Sequence, residues 1–301
     1  MPLFLVSAFA DEAAVSLQEQ IEILKKHAIE YLELRFVDGR PFAEATPAQA
    51  KEIRFRLEEA GIRVCCMASP FGKIPIEAPF AAHLERFRRG IELAEAVATR
   101  RMRLFSFYLP TGSDPSDYEQ EIADRLGQMT EAAGEAGVTC WLENEKGLFG
   151  DTPERCLSLV QKVDRLHLIF DPANYLQCGV DPLEAYRSLE YLIDYIHVKD
   201  ALKNGQTMPA GRGDCRLTEI LSRFLGKKNN PVLALEPHLA VFDGLSSLEL
   251  GEKISLVRPQ YGDTKEAFAV GASHLFRLLE SCRGQHVSDT ECGKMVQICD
   301  M

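Results

Sequence analysis

The chain has 301 residues, 46% hydrophobic and 26% charged, with 34 Lys plus Arg against 45 Asp plus Glu and a formal charge of −11. That length suits one α/β barrel or two medium domains, and the acidic balance argues against a general nucleic-acid binder or a polybasic membrane-surface protein. No apolar run reaches the roughly 18 residues of a membrane span and no basic-then-apolar leader is read at the start, so a cytoplasmic protein without nucleic-acid or membrane partners is expected.

Short apolar, β-rich segments alternate with helical ones along the chain. Strands are predicted at 3–8 (LFLVSA), 31–36 (YLELRF), 62–68 (IRVCCMA) and 102–108 (MRLFSFY). Four more are predicted at 138–143 (VTCWLE), 166–171 (LHLIFD), 193–198 (IDYIHV) and 231–236 (PVLALE). The runs are continuous rather than alternating, as strands buried on both faces require. Between them, Leu17, Ile21 and Leu24 form the apolar stripe of a first helix. Thr46-Pro47 with Gln49 reads as a capping box opening the next, and Gly61 stops it. Phe80, Leu84, Phe87, Ile91 and Ala94 make one stripe; Ile122, Leu126, Met129 and Ala133 make another, ended by Gly137. Thr152-Pro153 opens a further helix.

Eight strands, each followed by a helix, at a mean spacing of roughly 30–35 residues, are the arithmetic of a single (β/α)8 barrel. An open doubly wound sheet is the alternative. The first turn, SAFADE, lacks its glycine-rich fingerprint, and no P-loop occurs. The barrel is assigned to 1–282. Residues 240–262 read as a long loop or lid over the top face, and 283–301 as a tail with little periodic pattern. The nine cysteines are odd in number, lack any CxxC spacing and sit largely in apolar runs, so they read as reduced, buried thiols.

In this fold the active site lies at the C-terminal strand ends. Strand five ends in Glu143 (WLENEKG), six in Asp171 (IFDPANY), seven in His197 (YIHVKD) and eight in Glu236 (LALEPHL). Four successive strands thus end in side chains able to hold a cation. The mixed oxygen and nitrogen set suits Mn²⁺, Mg²⁺, Co²⁺ or Zn²⁺, and three neighbouring carboxylates repel one another without one. Individually each residue has a plainer reading: Asp171 before Pro172 as a helix N-cap, His197 as a hydrogen-bonded core histidine. Glu143 and Glu236 follow apolar runs directly, a costly position without a partner.

WLENEKG, FDPAN, HVKD and ALEPH resemble the four signature segments of the xylose isomerase-like TIM-barrel superfamily, and MPAGRGDC resembles its segment after strand seven. The resemblance spans about residues 3–282. The superfamily holds sugar epimerases and isomerases, inosose dehydratases and endonuclease IV-like enzymes. The resemblance implies that Glu143, Asp171, His197 and Glu236 bind one divalent metal ion and that Glu143 and Glu236 act as an acid/base pair. It also implies isomerisation or epimerisation of a sugar or sugar phosphate by proton abstraction α to a carbonyl. Where many members carry a histidine three residues after the strand-six aspartate, this chain has Asn174, which can donate to a substrate oxygen but cannot titrate near neutrality. The family's arginine after the strand-seven histidine has no close match; Lys203 or Arg212 are substitutes.

Further substrate-contact candidates are Glu33 at the end of strand two, Lys146, Arg212 as an anion clamp in the GRGD loop, and His238, with Glu145 beside the mouth. Phe9, Phe71 and Phe107 read as core. A metal-dependent dehydratase of a cyclitol or keto acid shares the first step and is the leading alternative. An endonuclease IV-like phosphodiesterase is disfavoured by the scarcity of strand-end histidines and by the acidic charge. A catalytically silent binding barrel is the remaining alternative. The expected partner is a small sugar or cyclitol, with a homo-oligomer implied by relatives.

Overall fold

Eight parallel strands close into a barrel: β1 (Leu5–Ala8), β2 (Tyr31–Leu34), β3 (Arg63–Met67), β4 (Arg101–Leu104), β5 (Thr139–Glu143), β6 (Leu166–Phe170), β7 (Ile193–Val198) and β8 (Val232–Leu235). Pairing of β1 with β8, from Leu5 opposite Val232 to Ala8 opposite Leu235, completes the ring. The computed structural model describes residues 4–226, 231–245 and 261–289, with side chains to residue 282. The chain is a single (β/α)8 barrel, as expected.

The helices are α1 (Leu17–Lys26), α2 (Pro47–Glu59), α3 (Phe80–Ala96), α4 (Glu119–Glu135), α5 (Pro153–Lys162), α6 (Pro172–Gln177), α7 (Pro182–Leu189), α8 (Leu217–Leu225) and α9 (Thr264–Asp289). Their starts follow the sequence chemistry. Thr46 caps α2 in a complete capping box with Gln49, and Thr152 caps α5. The apolar stripes of α1, α3 and α4 are buried against the outer faces of the strands, apart from the half-buried Phe80. Inward-facing residues, among them Phe9, Trp141, Ile169 and Tyr195, fill the barrel axis as a separate cluster. Both faces of every strand are therefore covered, which is why the strand segments read as continuous apolar runs.

Three boundaries differ from expectation. Strand four stops at Leu104 rather than running to 108, because the amides of Phe105 and Phe107 donate to the Phe71 and Gly72 carbonyls, each at 2.8 Å. The chain leaves the sheet there to pack on the loop after β3. Two small hairpins, Phe36–Val37 with Arg40–Pro41 and Asp200–Ala201 with Thr207–Met208, carry no periodic signal because each arm has two residues. Helix α9 continues through Asp289, so the segment read as a tail begins as helix. Residues 246–260 of the expected lid, and 290–301, lie outside the described residues.

The loop after β3 depends on one buried imidazole. His83 of α3 accepts the Gly72 amide on Nε2 at 3.0 Å, among the rings of Phe71, Phe80 and Phe107. Gly72 has φ +87, and a Cβ there would run into the Phe105 carbonyl, so only glycine fits. Burial, with Arg86 and Arg125 nearby, lowers His83 to about 4. The unfolded chain therefore binds a proton that the folded one refuses between the ordinary value near 6.5 and about 4. This contribution to stability is complete above pH 6.5 and lost as pH falls toward 4. The melting temperature of chelator-treated protein should fall over that window, and the fall should be shallower in His83→Gln. Parallel curves for the two proteins would contradict this role.

Candidate active site

The four predicted strand-end residues converge at the top of the barrel. One ligand atom from each of Glu143, Asp171, His197 and Glu236 can be chosen so that all lie within 4.8 Å of one another, and all four residues are buried. The barrel supplies this directly: neighbouring parallel strands bring their last inward positions to one mouth. His197 Nδ1 lies 3.2 Å from Glu143 Oε1 and 3.1 Å from Glu236 Oε2. Asp171 has two duties. Its Oδ1 caps α6 by accepting the Asn174 amide at 2.9 Å, while Oδ2 faces the Lys199 ammonium at 2.6 Å. Asn144 fixes the ends of β5 and β6 by exchanging two hydrogen bonds with the Asp171 backbone, at 2.8 and 2.9 Å.

Each glutamate is gripped by an arginine. Arg103 donates to Glu143 Oε2 at 2.9 Å and to the Ala68 and Ser69 carbonyls. Arg35 donates to Glu236 Oε1 at 2.9 Å and to Asp11 at 2.7 Å, with Glu12 at 3.4 Å. Both guanidinium groups lie over the Phe9 ring, at 4.3 and 5.7 Å, and His197 meets the same ring edge-on. Burial pushes Glu143 up, but His197 and Arg103 outweigh it and hold its carboxyl at about 2. Burial likewise opposes ionisation of Glu236, and Lys199 and His197 reverse it, keeping that carboxyl well below the usual range. Burial prevails at Asp171, raised to about 6 against the pull of Lys199.

The set fits a metal ion. Asp171 Oδ2 and Glu236 Oε2 are buried and face Lys199 Nζ at 2.6 and 3.8 Å, with His197 Nδ1 3.1 Å from the second. His197 Nε2 is buried without a hydrogen-bond partner. Buried carboxylate oxygens beside imidazole nitrogen are a mixed set that suits a divalent cation. Two carboxylates about 4 Å apart repel by about 4 kcal/mol at an effective dielectric of 20, so the cage needs positive charge whatever its source.

The pocket above the cage is lined by Arg35, Lys73, Arg103, Phe105, Glu143, Glu145, Asn174, Gln177, Lys199, Thr207, Glu236, His238 and Leu245. Asn174 lines it, but its amide nitrogen donates to the Asn144 carbonyl at 2.9 Å and to Glu143 at 3.4 Å rather than standing free for a ligand. His238 also lines it, in a left-handed backbone conformation with φ 47. Glu12 accepts its amide at 2.8 Å and faces its Nε2 at 3.2 Å, while Thr207 donates to its carbonyl. Phe9, Phe71 and Phe107 are buried.

The structure places three of the substrate-contact candidates outside the lining of this pocket. Glu33 lies inside the barrel rather than at its mouth, bonded to Ser7 at 2.5 Å and to the Tyr195 hydroxyl. It is the penultimate residue of β2, and the inward position there belongs to a deeper layer. Lys146 is half-buried and does not line the pocket. Arg212 is exposed and does not line it either, because its loop turns inward: the Gly211, Gly213 and Cys215 amides all donate to Asp200. Lys203 is exposed outside the pocket as well. The residues the sequence reading passed over are Asp11, Glu12, Arg35, Lys73, Arg103 and Lys199. Lys199 stood within the quoted HVKD, two residues past His197. Arg35 and Arg103 lie in strand-like runs, LELRF and MRLFS, where a charge amid apolar residues marks an interior partner.

A family model for the xylose isomerase-like TIM barrel matches residues 21–248. The chain belongs to the xylose isomerase-like TIM-barrel family. Among solved structures of the same fold, an L-ribulose 3-epimerase is 18% identical with a TM-score of 0.75, covering 98% of this chain and 100% of that one. A probable 3-DHS dehydratase from Bacillus anthracis is 15% identical with a TM-score of 0.69, covering 91% and 99%. An IolI protein with a bound zinc atom is also 15% identical with a TM-score of 0.69, covering 93% and 99%. An uncharacterized protein of Methanocaldococcus jannaschii is 27% identical over 165 residues, half of this chain and 56% of that protein's length.

Removing the internal cation of this xylose isomerase-like barrel tests the cage. Lys199→Met leaves Asp171 without its ion pair, and breaking a buried pair costs about 3–5 kcal/mol. Chelator-treated Lys199→Met should lose about that much stability in urea unfolding, and unchanged stability would mean that Lys199 does not balance the cage.

Proposed function

We propose that the protein is a metal-dependent isomerase or epimerase of a small polyhydroxy carbonyl compound, such as a sugar or cyclitol. The observation that carries this is the opposition of two buried, arginine-held glutamates, Glu143 and Glu236, across one cage with Asp171 and His197. Those four residues would hold the ion, a Mn²⁺, Mg²⁺, Co²⁺ or Zn²⁺. When bound, it supplies Lewis-acid stabilisation of negative charge on a hydroxy-carbonyl group. The epimerase and zinc-bound neighbours support this reading, as do the enzyme names among them.

The chain's own groups do the rest. Glu143 and Glu236 stand at the ends of strands three apart around the mouth, so one can remove the proton α to the carbonyl and the other return one. Arg103 and Arg35 keep both carboxylates ionised and fix their planes. The same arginines weaken the glutamates as bases, so the α-proton must be acidified by charge stabilisation on the substrate oxygens. His238 and Lys199 stand in the lining, paired with Glu12 and Asp171. Free thiols at Cys65, Cys66, Cys140, Cys156, Cys178, Cys215 and Cys282 fit the cytoplasmic setting expected from the sequence. No described helix is long and apolar enough to cross a membrane.

A dehydratase on the same cage shares the α-proton step and is the second reading, supported by the probable dehydratase neighbour. Water loss gives a conjugated carbonyl that absorbs in the ultraviolet. Deuterium wash-in from D2O across a sugar and cyclitol panel, with and without divalent metal, tests both. Exchange of an α-proton without an ultraviolet product is expected. Glu143→Gln and Glu236→Gln should each slow exchange by about 10³-fold with an unchanged circular-dichroism spectrum; near-wild-type exchange in either would refute the two-base assignment. EDTA should abolish exchange and a divalent ion restore it, and full exchange in metal-free protein would exclude the Lewis-acid role.

A further inference from the structure

We propose that Glu145 is the specificity-determining residue that confines this pocket to uncharged substrates, by neutralising Lys73, the most exposed lysine or arginine of the described lining. The inference rests on the function proposed above and concerns the end of the substrate remote from the reacting carbonyl. Lys73 Nζ lies 2.8 Å from Glu145 Oε2, and it sits over the Phe105 ring at 4.6 Å. The side chains are 11% and 15% exposed, against 0–6% for the pairs around the cage, so this is the outermost Lys or Arg pair of the lining. A lysine ammonium beside a carboxylate offers one donor face and one acceptor face. That combination suits a hydroxyl group, which both gives and takes a hydrogen bond, and rejects an anion, which meets the carboxylate.

Two further observations agree. The first is a charge balance. Every basic side chain of the described lining is already engaged: Arg35 with Asp11 and Glu236, Arg103 with Glu143, Lys199 with Asp171, Lys73 with Glu145, and His238 with Glu12. A phosphate dianion would therefore find no unpaired lysine or arginine in the described lining, and an uncompensated buried charge is strongly unfavourable. The second is the place where a barrel of this kind commonly holds phosphate, the loops after strands seven and eight at a helix N-terminus. There the amides of Gly211 and Gly213 donate to Asp200 Oδ2 at 2.8 and 2.9 Å, and those of Cys215 and Ala201 to Oδ1 at 3.2 and 3.0 Å. The chain's own carboxylate fills that nest of amides. Gly213 admits it because a Cβ would collide with the Asp200 carboxylate.

The test uses full-length, Mg²⁺-loaded protein and matched ligands: D-fructose with D-fructose 6-phosphate, and D-ribulose with D-ribulose 5-phosphate. Relative affinities come from saturation-transfer NMR. Wild type should favour the free sugar of each pair at least about tenfold. Glu145→Gln releases Lys73 and should tighten the phosphate ester about tenfold, whereas Lys73→Gln leaves a bare carboxylate and should widen the discrimination. Equal or tighter binding of the phosphate esters by wild type would overturn the proposal, as would ratios unmoved by both substitutions. Failure of any sugar or ester to bind, with no α-proton exchange, would instead sink the function proposed above and this inference with it.

Discussion

Burying like charges at one mouth is the constraint that organises this molecule. Glu143, Asp171 and Glu236 are each taken out of water within a few ångströms of one another, where mutual repulsion runs to several kcal/mol. The barrel answers with cations anchored on other strands. Arg35 comes from the turn after β2, Arg103 from β4 and Lys199 from just beyond β7. Remove any of them and a carboxylate must protonate or draw in another positive charge. The fold can therefore assemble with its acidic cage intact.

The same economy explains the aromatic floor. Phe9 lies beneath both arginines and against His197, so one ring supports the two guanidinium planes and the imidazole. Below it, Tyr195 and Glu33 form a separate polar contact inside the barrel. Site chemistry occupies the upper layer and packing the lower ones, as parallel barrels distribute these tasks. His238 keeps a left-handed backbone between Glu12 and Thr207, a conformation that persists only where neighbours enforce it.

Charge pairing also bears on recognition. A pocket whose cations are all engaged differs from one with a free arginine, even when their compositions match. Here the glycine-rich loop after β7, whose sequence suggests an anion clamp, is closed by Asp200. Composition gave the basic residue; only the direction of the backbone amides reveals that the chain itself supplies the anion.

The barrel and its four convergent strand ends were legible from the amino-acid order. Continuous apolar runs report burial on both faces, capping residues mark helix starts, and an acid or histidine directly after such a run must reach the mouth. The partners were not legible, because pairing acts across long separations: Arg35 meets Glu236 some 201 positions away, and Arg103 meets Glu143 across 40. Periodicity carries no information about which side chain meets which at that range. Nor could local pattern tell that Glu33 sits a layer too deep or that Arg212 points outward, since one step along a strand or one turn of a loop reverses where a side chain ends up. Sequence alone thus determined the architecture and the acidic and imidazole strand ends, through local periodicity and the cost of burying charge; tertiary closure alone decided which counter-charges and donors meet there.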